Sequence, residues 1–250
     1  MRQYLVRLSR NLNAFNKIGG VRVRTACSGT EIQEFVGRAI FDAMNLGPKY
    51  RTVSACDTNP KIRHFIQKMV FNESDDSPDA RCIFDEIQDL HLNPYCTVHK
   101  SRGCKQEKGH ISIICCSCKD LSKYSKLYMY GKTCLRDCTG SSGKTFKGLK
   151  DHLAEDQPPV YIGENVEDLD SVTSENRSEM LSAFGQAGYV VDSRLLKHSD
   201  YDGKSIRKRA FIVALNLAKC SLSHHEGLKL LGEMFNLVHR LKSIGVCFFT

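Results

Sequence analysis

The sequence predicts an α/β fold with a mostly parallel central sheet and helices on both faces. Three observations predict it. Short β-rich runs alternate with helical stretches along most of the chain. The first two strands are each followed by an amphipathic helix. Residues 111–116, ISIICC, form a continuous apolar run of the kind found in a strand buried on both faces.

Each element has its own pattern. Val21–Ala26 alternates apolar and polar residues, as a strand does. Thr30–Leu46 places Ile32, Phe35, Val36, Ala39, Ile40 and Ala43 at helical spacing. Tyr50–Cys56 reads as a second strand, and Lys61–Phe71 as a second helix with Ile62, Phe65, Ile66, Met69 and Val70 on one face. Residues 72–80, NESDDSPDA, are a polar acidic loop. Pro158–Gly163 is a short strand, and Ser174–Ala187 a helix that ends in glycines. Tyr189–Asp192 and Ala210–Leu215 are late strands. Gly227–Ile244 carries Leu228, Leu231, Met234, Phe235, Val238 and Leu241 at helical spacing and reads as a core helix. Lys119–Asp156 is polar and rich in Gly and Lys, so it reads as one long loop region with a short helix at most.

Composition narrows the function. The chain has 250 residues, 41% hydrophobic and 26% charged, which excludes a disordered chain, a collagen and a small disulfide scaffold. No apolar run approaches the about 18 residues of a membrane span, and residues 1–17 lack a signal-peptide apolar block, so a soluble intracellular protein is expected. The net charge of +8 suits a polyanionic partner. Twelve cysteines without a secretory signal point to thiols, metal ligands or catalytic groups rather than disulfides.

Two places suggest a nucleoside-containing cofactor. Ala26, Cys27, Ser28, Gly29 and Thr30 form a turn of small residues after strand one, ahead of a helix start. Asp57 ends strand two, where an acid grips ribose hydroxyls. The alternatives are a tight turn with no ligand and a helix N-cap.

Further along, the apolar strand runs straight into Cys115, Cys116 and Cys118 at its carboxyl end, where ligand sites lie in open α/β sheets. Cys118 as nucleophile, Cys115 and Cys118 as a redox or metal pair, and buried structural thiols are all open readings. Glu164 and Asn165 suit hydrogen bonding to an amide-like ring edge. Arg207 and Arg209 repeat every second residue on an incoming strand and so share a face. Gly140–Thr145, GSSGKT, is not a phosphate loop: it has two residues between glycines where four are needed. Cys96, His99 and Cys104, with Cys134 and Cys138, have tolerable but non-standard zinc spacing; no metal is assigned, and loop thiols with a surface imidazole are the simpler reading.

Taken in order, these segments resemble the cytosine-5 DNA methyltransferases. The family run GYxV, a spacer and QxRxRxFIVG is matched by GYVVDSRLLKHSDYDGKSIRKRAFIVAL at 188–215. Its ENV stands as Glu164-Asn165-Val166, and its PCQxxS loop as Ser117–Ser122. The glycine turn corresponds to Ala26–Thr30, the strand-two acid to Asp57, and the acid that contacts adenine to Asp89 in IQDL. The resemblance covers Val21 to Leu215. It implies a Rossmann-like methyltransferase fold, S-adenosylmethionine as cofactor, and DNA as partner with RNA cytosine as the variant; with the net charge, that substrate suggests a nuclear location if the source is eukaryotic. It implies further that Cys118 attacks C6, Glu164 binds N3 and the exocyclic amine, Asn165 fixes the loop, and Arg207 and Arg209 stabilise developing charge. Lys119, Lys123, Lys126, Lys132, Lys144, Lys147 and Lys150 are then expected to bind phosphate from a flexible DNA-facing loop. The implied division is an N-terminal helix over 1–20, a catalytic domain over 21–220 with the polar loop over 119–156, and a C-terminal amphipathic helix over 221–250.

Departures from the family keep a second class open. Ser117 replaces the proline before the nucleophile, Lys119 the glutamine after it, and Ser205 the glutamine of QxRxR. No target-recognition region or final family motif is recognisable in the 35 residues after Leu215. A degenerate, non-catalytic module that binds nucleic acid or a partner subunit would share these features. A helix bearing Leu5, Leu8, Leu12 and Phe15 could instead replace the final motif, and a partner subunit could supply target recognition.

Overall fold

The computed structural model describes residues 20–27, 29–43, 50–72, 80–104, 107–122, 133–170, 174–201 and 206–242. The expected N-terminal helix lies outside these residues, as do Ser28, Lys123, Lys126, Lys132 and Ser205. The chain forms two compact units: residues 1–86 with 93–112, and residues 87–92 with 113–250.

In the first unit the strand order is β5-β4-β3-β2-β1. Strands β1 (Val21–Ala26), β2 (Tyr50–Cys56) and β3 (Cys82–Phe84) run parallel, with Val21 opposite Tyr50 and Ser54 opposite Cys82. The two-residue strands β4 (Tyr95–Cys96) and β5 (Ser101–Arg102) extend the edge antiparallel. Parallel pairing aligns three carboxyl ends. Cys27 N–H donates to Cys56 O at 2.8 Å, and Asp57 N–H to Phe84 O at 3.1 Å.

Helix α1 (Ile32–Ala43) forms where its periodicity predicts but turns a polar side to the sheet. Fully buried Glu34 accepts from Thr52 N–H at 2.8 Å and Thr52 Oγ1 at 2.6 Å. Gly37 lies against the Tyr50 ring, which a Cβ would strike at 2.3 Å. Among the described residues, Ile32, Phe35, Val36 and Ile40 stay exposed. Helix α2 (Pro60–Phe65) starts with Pro60 after the Asn59 cap, whose side chain accepts from Lys61 N–H at 2.9 Å; it continues as one π-helical stretch, Ile66–Val70.

The division between units falls within β6 (Ile111–Ile114), after Ser112. This strand ends two residues sooner than its apolar run predicts. It is not buried on both faces either: Ser112 and Ile114 are buried, Ile111 and Ile113 half-buried. In the second unit the order is β6-β7-β9-β8. Strands β7 (Val160–Val166) and β8 (Tyr189–Lys197) each pair antiparallel with β9 (Lys208–Asn216), so the sheet is mixed rather than uniformly parallel.

The stretch read as a long loop over 119–156 contains instead α3 (Cys134–Asp137) and the 16-residue α4 (Gly140–Glu155). The buried stripe of α4 is Ser142, Gly143, Thr145, Phe146, Gly148, Leu149, His152 and Leu153. Five of these eight inward residues are small or polar, and they mask the apolar period of Phe146, Leu149 and Leu153. They permit close packing: a Cβ on Gly148 would meet the Ile87 carbonyl at 3.0 Å. Helix α5 (Glu175–Gln186) begins at Ser174, whose Oγ accepts from Arg177 N–H at 3.3 Å. After the short α6 (Leu217–Cys220), helix α7 (His224–Lys242) sets Leu231 and Phe235 against Val190, Val213 and Leu215. Leu228 remains exposed, so the buried stripe of α7 is narrower than its apolar face.

Candidate functional site

In the first unit, the turn after β1 uses left-handed backbone three times in five residues: Cys27 (φ 54°), Gly29 (φ 69°) and Glu31 (φ 56°). Left-handed residues let the chain reverse sharply here, just beyond the strand end. Open space surrounds Gly29: a Cβ there would meet nothing within 4 Å. Ala26 is buried, Cys27 half-buried and Thr30 exposed. The Cys56 thiol shows which charges gather at these strand ends. Burial pushes it well above its usual value, and Cys27, Asp57, Asp85 and Glu86 push it further. Asp57 Oδ1 accepts from Asn59 N–H at 2.8 Å, so this acid also shapes its own turn.

Asp89, the sequence-based choice for the adenine acid, sits in the 3₁₀ turn Ile87–Asp89 in the second unit. Asp85 and Glu86 directly follow β3 and occupy the strand end itself. Sequence reasoning missed both because β3 has only three residues, too few for a period.

The second unit holds the cysteine loop 115–122. Cys115, Cys116 and Cys118 form no disulfide and are half-buried. The loop is fastened at both flanks. Asn165 Nδ2 donates to Cys116 O at 3.0 Å from β7. Ser117 N–H donates to Thr145 Oγ1 at 3.0 Å, and Asp120 N–H to Ser142 Oγ at 3.0 Å, both on the first turns of α4. Behind the nucleophile candidate, Leu121 N–H and Ser122 N–H donate to Cys118 O at 3.1 and 3.0 Å. GSSGKT is therefore a helix start that clasps the cysteine loop, not a flexible loop. Both glycines are required there. A Cβ on Gly140, which has φ 64°, would meet Asp120 Oδ2 at 2.6 Å; one on Gly143 would meet Cys134 O at 2.2 Å.

Glu164, Asn165 and Val166 lie within β7 rather than after it, so their side chains alternate between faces. Val166 pairs with Arg209, which makes Arg209 a diagonal neighbour of Glu164; Arg209 Nε lies 2.6 Å from Glu164 Oε1. Burial raises the Glu164 carboxyl above its usual value, and the charge of Arg207 draws it back down. Arg207 is exposed, just ahead of β9. Asn165 is 4% exposed, and its Oδ1 accepts from Val166 N–H, which fixes the side chain that holds the cysteine loop. Glu164, Asn165, Cys116, Leu121, Phe146 and Ile212 line one small pocket. The pair Glu164 and Asn165 thus faces an acid toward two arginines and an amide toward the loop that carries the thiol.

Other candidates fare differently. Lys147 pairs with Asp151 at 3.2 Å and Lys150 with Glu179 at 3.3 Å, so two of the lysines assigned to phosphate are engaged on α4 and α5. Cys134, one of the zinc candidates, is buried; burial and then Asp120 push its thiol up to about 11. Cys138 Sγ lies 3.7 Å from Leu135 O. Neither joins Cys96, His99 and Cys104, whose sulfur and ring nitrogen atoms converge instead with Cys82.

A family model described as C-5 cytosine-specific DNA methylase matches residues 102–229, just over half of the chain. The chain belongs to this family. The methylase match takes in Cys118, Glu164, Asn165, Arg207 and Arg209. Over 214 residues the chain is 25% identical to DNA (cytosine-5-)-methyltransferase DMT5 of Cryptococcus neoformans var. grubii, covering 84% of this chain and 8% of that protein. Among solved structures it is similar to a DNA modification methyltransferase encoded within an E. coli prophage, at 17% identity and TM-score 0.51 over 80% of this chain and 47% of that one. It is also similar to Schizosaccharomyces pombe Dnmt2 methyltransferase, at 14% identity and TM-score 0.49 over 78% of this chain and 49% of that one. This member of the methylase family therefore spans less than half the length of each of these relatives. Among its described residues, no helix is long and apolar enough to cross a membrane.

Proposed function

We propose that this chain transfers a methyl group from S-adenosylmethionine to C5 of cytosine in DNA, with Cys118 as the nucleophile. The observation that carries the reading is the hydrogen bond from Asn165 Nδ2 to Cys116 O, which couples the strand bearing Glu164 to the loop bearing the thiol. Membership of the methylase family supports it.

The residues fit the cofactor. Ala26, Cys27, Ser28, Gly29 and Thr30 would pass beside it, where Gly29 leaves open space; Asp57 would hold its ribose hydroxyls. Asp89 was the expected partner of the adenine amine, and we assign that role to Asp85 and Glu86 at the β3 end. When bound, S-adenosylmethionine supplies an electrophilic methyl group to C5.

The chain's own part is to make C5 nucleophilic. A base within a duplex is unreachable, so the cytosine must leave the stack. The Cys118 thiolate adds to C6, and the electron pair of the C5–C6 bond shifts toward C5 and N3. Glu164, held toward its acid form by burial, donates to N3 and accepts from the exocyclic amine as charge builds. Arg209 and Arg207 stabilise the developing negative charge and keep Glu164 oriented. Loss of the C5 proton to solvent, return of the N3 proton to Glu164 and expulsion of the thiolate restore the ring. The net charge of +8 and the exposed Lys119 and Lys144 favour a phosphate backbone.

Covalent trapping tests the reading. The full chain is mixed with S-adenosylmethionine and duplex DNA or RNA containing 5-fluorocytosine, and wild type is compared with Cys118→Ser on a denaturing gel. A shifted band with DNA in wild type alone is expected. A band with RNA alone makes the substrate RNA. No band with either, from folded protein, leaves the non-catalytic module.

A further inference from the structure

We propose that Cys82, Cys96, His99 and Cys104 bind one structural zinc ion at the edge of the first unit's sheet. The inference is independent of the methyl-transfer reading. The four side chains come from separate pieces of chain: Cys82 opens β3, Cys96 ends β4, His99 lies in the turn after it, and Cys104 follows β5. Their ligand atoms all lie within 4.8 Å of one another.

The distances select a metal over the alternatives. His99 Nδ1 lies 3.6 Å from Cys82 Sγ, 3.3 Å from Cys96 Sγ and 3.5 Å from Cys104 Sγ. A tetrahedron built from Zn–S of about 2.3 Å and Zn–N of about 2.0–2.1 Å places sulfur and nitrogen roughly 3.5 Å apart. A single ring nitrogen offers one N–H or one lone pair, so three sulfurs around it cannot all be its hydrogen-bond partners. Nor are the cysteines disulfide-bonded; all three are free.

The surrounding chain is built for convergence. Lys100 (φ 50°) follows His99 and Gly103 (φ 78°) precedes Cys104, and these two left-handed residues fold the turn back toward Cys82. Thr97 N–H and Thr97 Oγ1 both donate to Ile83 O, at 2.8 and 2.9 Å, which pins that turn to β3. Ser101 Oγ lies 3.5 Å from Cys104 Sγ. Such an outer contact orients a thiolate ligand around a metal.

The role follows from the donor set and the strands. Three thiolates and one imidazole fill a tetrahedron and leave no open position for water, which marks a structural site rather than a catalytic one. Strands of three, two and two residues hold together poorly by ladder hydrogen bonds alone. A metal that joins them fixes the β3 end, and with it Asp85 and Glu86.

The full chain, purified without chelator, should contain one equivalent of zinc by elemental analysis. Cobalt loaded in its place should show thiolate charge-transfer and tetrahedral d–d bands. His99→Ala and Cys104→Ser should bind zinc about tenfold or more weakly. His99→Cys should retain one equivalent, because four thiolates also satisfy zinc, while the cobalt bands shift. Wild-type protein needs no substitution to give the zinc and cobalt readouts, so a variant that fails to fold does not decide the matter. Trace metal with no thiolate charge-transfer band in wild type overturns the proposal. So does bound metal that His99→Ala and Cys104→Ser leave unchanged.

Discussion

Ser142 and Asp120 hydrogen-bond to each other in both directions: Asp120 N–H reaches Ser142 Oγ at 3.0 Å, and Ser142 N–H reaches Asp120 Oδ2 at 2.7 Å. Both residues are buried. Thr139, at the N-cap of α4, makes no side-chain cap bond, so the Asp120 carboxylate satisfies a helix N–H from outside the helix. Asp120→Ala leaves that N–H unpaired and should cost about 1–3 kcal/mol. Asp120→Asn keeps an acceptor and loses only the charge at the helix start, so it should cost about 1 kcal/mol or less. Denaturant unfolding ranks the two variants. Amide exchange at Leu121 and Ser122 should speed up in Asp120→Ala, and unchanged exchange there would show that the pair does not fasten the cysteine loop.

The serine that replaces the family's proline has a use for its N–H. Ser117 donates to Thr145 Oγ1, a bond that proline cannot make, so a hydrogen bond to α4 stiffens the loop where a ring would. Thr145→Val removes the acceptor and strands a loop N–H, at a cost of about 1–3 kcal/mol. Ser117→Pro removes the donor itself and pre-sets the backbone, so it should cost less than Thr145→Val. Equilibrium unfolding of the two variants gives the order, and the reverse order would mean the native loop is incompatible with proline.

Glycines on two helices separate close packing from propensity. A Cβ on Gly143 would lie 2.2 Å from Cys134 O and 2.6 Å from Cys138 C, both backbone atoms that cannot yield. Gly143→Ala should destabilise by about 1–3 kcal/mol or more. Gly232 in α7 has nothing within 4 Å of such a Cβ, so Gly232→Ala should stabilise by about 0.5–1 kcal/mol. Thermal midpoints should then move in opposite directions, and a fall for both would show that α7 does not tolerate the added methyl.

What could be read from the sequence depended on how local its cause was. Strands β1 and β2 were legible because alternation and β-branched residues are local properties, and their parallel pairing follows from the helix between them. The nearness of Glu164 to Arg209 was legible because each stands at a fixed position on one of two neighbouring strands, with Arg207 just ahead of β9. Helix α4 was not, because Ser142 and Thr145 face inward to bond the cysteine loop and Gly143 to pass close to Cys134 O, and small and polar inward residues mask an apolar period. Cys82 was missed as a companion of Cys96 for a different reason. It stands 14 positions earlier, and only the pairing of Phe84 with Cys96 brings their strands together. The same three-residue strand hid Asp85 and Glu86, and the sequence resemblance settled on Asp89 instead.

Glu164 should titrate above the ordinary carboxylate value, because burial disfavours its charged form more than the charge of Arg207 restores it. Arg209, in contact at 2.6 Å, favours the charged form as well. Removing either guanidinium should therefore raise the midpoint further. The sign for stability follows: a folded pKa raised above the unfolded one favours folding at pH below about 4.3, and that contribution is lost as pH rises through the folded value. Carboxyl-carbon NMR titration, with the Glu164 resonance assigned by its absence in Glu164→Gln, reads the midpoint directly. Wild type should titrate above about 4.3, the value of an unperturbed glutamate. Arg207→Gln and Arg209→Gln should each move the midpoint upward, so that the acid form persists to higher pH. A midpoint that falls in either variant would mean that Glu164 is governed by something other than burial set against these two charges.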